Sequence, residues 1–382
     1  MTDTTSMRST ATSTVDTPVS PPAPGMATRR YCTLVAAVLN TKTARKLISF
    51  GVKMVQKSPA VWRRIPPIYI DETAHPVTSN QDYDVPRLAK RVFDEAPRVE
   101  RWFIESPCMR RIVEVQVMLP PRPEEPAPML YLLDGVTAPR RSGWLREGQL
   151  EKGLNNEQVI VVMPTEASGS LYENWVADDP KVGRHQWDTF LTQELPNIME
   201  DPATGLKFNG RRIIGGLSMG ASGAIRLAAK HPEFYHGAIG LSGCYSTTST
   251  MGRGMTLAIL RCVGSDPDNA WGTGPTPTWA RDDVSTNPEG LRNIPVYLFA
   301  ADAHITKYDI ELHTGRTRLD LPGATILEYA SYTSTRDLER AMINAGMTHQ
   351  VVHYQYGGVH AWEYYGDQLK AGWDAVYKSQ VS

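Results

Sequence analysis

The sequence predicts an α/β fold built on a mainly parallel central sheet with helices on both faces. Two observations carry this. Short apolar runs of strand length recur between segments with helical periodicity, and strands that alternate with helices build a parallel sheet covered on both sides. The strands themselves read as near-continuous apolar stretches, as expected where both faces are buried. Composition agrees: 41 % of the 382 residues are hydrophobic and 30 are Gly, which suits a globular chain with a sizeable core. The 40 Lys and Arg against 41 Asp and Glu leave a formal charge of −1, which excludes a disordered acidic chain and a broad nucleic-acid-binding surface. Four Cys exclude a disulfide-dense scaffold.

Residues 1–25, rich in Ser, Thr and Pro, read as a disordered tail. Residues 26–98 read as a candidate export segment and lead-in. There Arg29 and Arg30 precede an apolar run from Tyr31 to Leu39, as in an export signal, without a convincing cleavage site after it. The other reading is an amphipathic helix, because Leu47, Val52 and Val55 continue the apolar pattern among basic residues. The segment 82–93, DYDVPRLAKRVF, has helical amphipathicity. No apolar stretch reaches about 18 residues, the length of a membrane span.

The catalytic domain is expected over 99–382. Val113, Val115 and Val117 alternate with Glu114 and Gln116, the period of a half-buried strand. Buried strands follow at 129–133, 159–163, 213–214, 238–241 and 296–300, with a last strand over 350–356. Helices are expected at 187–200, 219–230 and 334–345. A final helix over 362–378 aligns Trp362, Tyr365, Leu369, Trp373 and Val376 on one face.

Between a strand and a helix stands Gly216-Leu217-Ser218-Met219-Gly220, a G-x-S-x-G pattern. In that context Ser218 sits on a sharp turn that presents its hydroxyl at the carboxyl end of the sheet, and the flanking glycines remove Cβ atoms that would collide there. A serine hydroxyl needs a general base. His360, in the Gly-marked loop YGGVHAW between the last strand and the last helix, is the His best placed to reach it. The acid has two candidates: Asp302, just after the strand VYLFA and favoured by topology, and Glu328 in ATILEYA.

With these residues in hand, the chain resembles the mycolyltransferases of mycobacteria and corynebacteria, the antigen 85 family. The matching segments are YLLDG (131–135), VVMPTEASGSLYENW (161–175), WDTFLTQELP (187–196), GGLSMGASGAIRLAAKHP (215–232) and HAWEYYGDQL (360–369). The resemblance implies the α/β-hydrolase fold and a Ser-Glu-His triad of Ser218, Glu328 and His360, which moves the choice of acid from Asp302 to Glu328. It implies an oxyanion hole from the backbone N–H groups of Val136 and Met219. It carries Asp134 and Trp362 over to the sugar acceptor. One departure stands out: Thr137 occupies the place where trehalose-binding members commonly have Arg, with Arg140 and Arg141 as the nearby substitutes.

The expected reaction is ping-pong transfer of a mycolate-type acyl chain through Ser218, from a glycolipid donor to a sugar acceptor such as trehalose monomycolate or cell-wall polysaccharide. A carboxylesterase or thioesterase of the same fold and a catalytically inactive cell-wall binding protein are the alternatives. The stretch 255–260, MTLAIL, is either a wall for the lipid chain or a plain core helix. No metal-ligand spacing or phosphate loop is present, so no cofactor is expected, and no nucleic acid. Cys244 and Cys262 are near enough in sequence to pair after export. The resemblance implies a secreted or cell-envelope enzyme in peripheral contact with envelope lipid.

Overall fold

A computed structural model of the chain describes residues 25–64, 81–274 and 276–379. All but the last residue of the expected disordered tail, and residues 65–80 of the lead-in, lie outside them. Nine strands form one sheet: β1 (Arg87–Phe93), β2 (Val99–Ser106), β3 (Arg111–Met118), β4 (Ala127–Leu133), β5 (Ile160–Pro164), β6 (Phe208–Leu217), β7 (Ala238–Leu241), β8 (Val296–Ala301) and β9 (Val351–Gln355). Their spatial order is β1-β2-β3-β5-β4-β6-β7-β8-β9. The first three strands pair antiparallel, β3 meets β5 antiparallel, and every pairing from β5 across to β9 is parallel. The fold is therefore an α/β hydrolase with a mainly parallel sheet.

β4 is buried at every residue, and its alternation divides the core. Met129, Tyr131 and Leu133 join one cluster with Trp187, Phe190 and Leu227. Leu130 and Leu132 join the cluster on the opposite face with Leu369 and Trp373. A strand covered on both faces needs apolar residues at every position, which is why 129–133 reads as an unbroken apolar run. The helices that matter for the site are α1 (Arg29–Leu39), α2 (Lys42–Lys57), α3 (Met219–Lys230), α4 (Thr250–Cys262), α5 (Asp320–Asn344) and α6 (Tyr365–Trp373). In the C-terminal segment Tyr365, Leu369, Trp373 and Val376 are buried as the periodicity predicts, while Trp362 is half-buried.

Two expectations are corrected. The segment 82–93 is not helical: its larger part is β1, the outermost strand, with most side chains exposed. Its register is held by charge, with Arg87 directly opposite and bonded to Glu105 at 2.9 and 3.0 Å, and Arg91 bonded to Glu100 at 2.7 Å. An edge strand exposed on both faces has no apolar alternation to betray it, and its charges guard the edge against pairing with other chains. The helix expected from Ser334 starts instead at Asp320, so Glu328 lies inside it. Its first half carries Pro322, Gly323 and many β-branched or hydroxyl residues, which weaken the local helical signal. Burial of Leu321, Ala324, Glu328 and Ser331 holds it in place. β2 adds a further strand at the start of the expected catalytic domain.

The N-terminal helices pack on that domain. Cys32 and Ala36 of α1 are buried with Leu321 and Ala324 of α5 and with Val359 and Ala361, the neighbours of His360. On α2, Val52 is buried against Met255 and Ala330, a contact worth roughly 1.5–3 kcal/mol for a fully buried Val. α2 and α4 touch so closely that a Cβ at Gly254 would lie 2.6 Å from the Val52 carbonyl oxygen. Among the described residues no helix is long and apolar enough to cross a membrane.

Candidate active site

β6 ends at Leu217 and α3 begins at Met219, so Ser218 makes the whole turn between them. Its φ of 54° and ψ of −119° lie in a region that costs a non-glycine residue on the order of 1–3 kcal/mol. The turn is pinned by the Ser218 N–H donating to Leu241 O at 2.8 Å. The flanking glycines are there for space. A Cβ at Gly220 would stand 2.4 Å from Leu133 O, and one at Gly216 would stand 2.6 Å from the Gly220 carbonyl carbon. The serine turn is thus pressed against the end of β4, where no side chain fits.

His360 and Glu328 are brought together from a loop and a helix. His360 Nδ1 lies 2.8 Å from Glu328 Oε2. The other oxygen, Oε1, accepts from Ser242 Oγ at 2.8 Å and from the Ala301 N–H at 2.7 Å. The His360 N–H donates to Ala324 O at 3.1 Å, one turn before Glu328, which ties the loop to α5. A carboxylate only accepts, so Nδ1 carries the imidazole proton and Nε2 keeps its lone pair. Nε2 is buried without a hydrogen-bond partner, and His360 and Ser218 line one narrow cavity of about 20 Å³. Tyr365 packs edge-on against the imidazole at 5.9 Å. Asp302 is not paired with His360: its Oδ1 accepts from the N–H groups of His304 and Gly357 at 2.9 and 3.0 Å.

Met219 opens α3, where the N–H groups of the first turn have no partner within the helix. Val136 follows β4 and lines, with Ser218, a second and much larger cavity of about 590 Å³. That cavity is apolar. α4 contributes Met255, Ala258 and Ile259, α5 contributes Ile326 and Leu327, and α1 and α2 close it. Of the two readings of 255–260, part of the stretch does line a cavity, while Leu257 and Leu260 face the core.

Asp134 and Trp362 meet at Gly143. Asp134 Oδ1 accepts from the Gly143 N–H at 3.0 Å, and a Cβ at Gly143 would stand 2.4 Å from the Trp362 ring. Trp362 packs edge-on against Trp144 at 5.4 Å. The Asp134 side chain is 1 % exposed with Oδ2 unpartnered, and burial pushes its pKa up to about 7. A buried oxygen without a donor is equipped to accept a hydroxyl. Thr137 lies on the turn after β4. Both nearby arginines are paired with carboxylates: Arg140 is bonded to Glu166 at 3.0 Å, and Arg141 holds both Asp94 oxygens at 2.8 and 3.0 Å.

The sequence reading missed Ser242 and Ala301, which orient Glu328. Ser242 leaves β7 as Ser218 leaves β6, with a φ of 53°, a likeness that only the structure brings out. It also missed the contribution of α1 and α2 to the large cavity. Cys244 and Cys262 are free thiols, and burial pushes Cys244 up to about 12. Among the described residues no His, Cys, Asp and Glu group could hold a metal ion.

The sheet, the strained serine turn and the buried carboxylate on His360 define an α/β-hydrolase site. The model of the family described as putative esterase matches residues 106–375. Diacylglycerol acyltransferase/mycolyltransferase Ag85A of Mycobacterium leprae (strain TN) is 30 % identical over 281 residues, covering 71 % of this chain and 80 % of that protein. Its Mycobacterium tuberculosis (strain H37Rv) counterpart is 31 % identical over 287 residues, covering 72 % and 79 %. The crystal structure of Mycobacterium tuberculosis MPT51 is similar with a TM-score of 0.59 at 25 % identity, covering 72 % of this chain and 96 % of that one. The chain belongs to the antigen 85 mycolyltransferase family, within the putative esterases.

Proposed function

We propose that this chain is a serine-dependent acyltransferase that moves a long apolar acyl chain, of mycolate type, onto a sugar hydroxyl in the cell envelope. The observation that carries the reading is Ser218 itself, which lines both the small cavity it shares with His360 and the apolar cavity of about 590 Å³. That volume is in the range of cavities that enclose a ligand.

In the first half-reaction His360 Nε2 takes the Ser218 proton as Oγ attacks the carbonyl carbon of a glycolipid ester. The Val136 and Met219 N–H groups hold the oxyanion, an interaction worth about 3–4 kcal/mol for one such donor. Collapse breaks the bond to the donor sugar oxygen, which leaves with the proton from His360, and the acyl group stays on Ser218. In the second half-reaction His360 takes a proton from the acceptor hydroxyl, whose oxygen attacks the acyl carbon. Ser218 Oγ then leaves and recovers the proton. Glu328, fixed by Ser242 and Ala301, holds the imidazole tautomer and stabilises the imidazolium in both halves. Asp134 and Trp362 form the acceptor side, with Oδ2 of Asp134 taking a sugar hydroxyl.

A second reading, an esterase using water as acceptor, is favoured by one feature. Thr137 supplies no cation, and Arg140 and Arg141 are held by Glu166 and Asp94. The two readings part in one assay. Incubation with trehalose monomycolate followed by mass spectrometry of the lipids is expected to give dimycolate or another sugar ester with wild type and none with Ser218→Ala. Free mycolate alone from wild type establishes the esterase, and no product from wild type contradicts both readings.

A further inference from the structure

Residues 25–64 carry nine Lys and Arg and no Asp or Glu. The chain's formal −1 therefore divides into +9 on this short segment and −10 elsewhere. On α2 the inward face is Ala44, Ile48, Val52 and Val55, all buried or half-buried. The outward face carries Lys46, Phe50, Lys53 and Lys57, with Met54 and Leu47 next to them, all exposed. Phe50 is 62 % exposed and Leu47 65 %; on α1, Leu34 and Val38, one turn apart, are 60 % and 61 % exposed. Large apolar side chains held in water among lysines are the composition of a helix that lies in a membrane interface.

The cavity at Ser218 leads to this same surface. Val38, Leu39 and Leu47 form part of its wall, and Val38 and Leu39 also line a wide apolar groove of about 360 Å³ with Tyr31 and Leu34. An acyl chain entering past these side chains stays on apolar surface throughout. We infer that α1 and α2 form a cap that docks on an anionic lipid bilayer and admits the acyl chain from it to Ser218; the admission step rests on the acyltransferase reading, the docking does not. An acidic nucleic acid fits the charge but not the exposed Leu34, Val38, Leu47 and Phe50, which a charge-only partner would leave in water.

Flotation of the full chain with vesicles tests this. Wild type is expected to float with vesicles of phosphatidylglycerol in phosphatidylcholine and not with phosphatidylcholine alone, and to release at high salt. Phe50→Asp and the double variant Lys46→Glu/Lys53→Glu each should lower vesicle partitioning by about tenfold. Both should keep the wild-type rate on soluble p-nitrophenyl butyrate, which shows that they fold, because neither site touches the cavities. Wild type that stays unbound to anionic vesicles overturns the proposal, as does Phe50→Asp floating like wild type, the mark of charge adsorption alone. Equal retention of wild type and Phe50→Asp on double-stranded DNA, with no flotation, assigns the face to nucleic acid instead. Ser218→Ala should float like wild type, since docking needs no turnover. A wild type that floats yet forms no acyl-enzyme removes the acyl-admission half and leaves the docking in place.

Discussion

Two donors, the Ser242 hydroxyl and the Ala301 N–H, converge with the His360 imidazole on the Glu328 carboxylate. Glu328→Gln retains the shape but loses the charge opposite the imidazolium, so kcat on any ester should fall roughly 10³–10⁴-fold. Asp302→Asn should cost far less, because that carboxylate holds a turn through His304 and Gly357. Steady-state kinetics of the two variants check the assignment; an equal loss in both would contradict it. Asp134 makes a separate prediction through pH. Its folded pKa of about 7 lies above the unfolded value of about 3.9. The folded chain therefore keeps a proton that the unfolded chain has lost between those values, and stability falls as pH rises from about 4 to about 7, by on the order of 1–4 kcal/mol. Melting temperatures across that range should decline more steeply for wild type than for Asp134→Asn. Parallel curves would show that Asp134 is already ionised at low pH.

At the scale of elements, α4 separates two functions by its faces: Leu257 and Leu260 fill the core, while Met255, Ala258 and Ile259 face the large cavity. Ala258→Trp should fill that cavity from a half-buried position. The expected result is little change on a butyrate ester and at least a tenfold loss in kcat/KM on a long-chain ester, measured with matched leaving groups; equal effects on both would place the acyl chain elsewhere. The elements also show what could be read from the residues alone. The parallel strands β4 to β8 and helix α3 were legible because burial on both faces, or on one helical stripe, writes itself into the apolar pattern. β1 was not, since Arg87 and Arg91 find their partners on β2 and a charged edge reads equally well as an amphipathic helix. The start of α5 was not, because tertiary burial overrides the weak propensity of Pro322, Gly323 and Thr325. Ser218 and His360 stand out locally by their glycine settings. Glu328 came from family resemblance, and Ser242 is visible only once β7 is seen beside β6.

For the whole molecule, the near-zero net charge conceals a basic, apolar N-terminal cap on an acidic catalytic body. The cap completes the cavity that Ser218 lines, so its wall is built from helices more than 250 residues apart in sequence, from α1 to α5. In the proposed reaction the acyl-enzyme is the central species, because Ser218 belongs both to the small cavity it shares with His360 and to the large apolar cavity. The most direct test is intact-protein mass spectrometry after exposure to a fluorophosphonate bearing a long alkyl chain. A single stoichiometric adduct is expected, one that peptide mapping assigns to Ser218 and that Ser218→Ala abolishes. An unlabelled wild type, or an adduct that persists in Ser218→Ala, would contradict it.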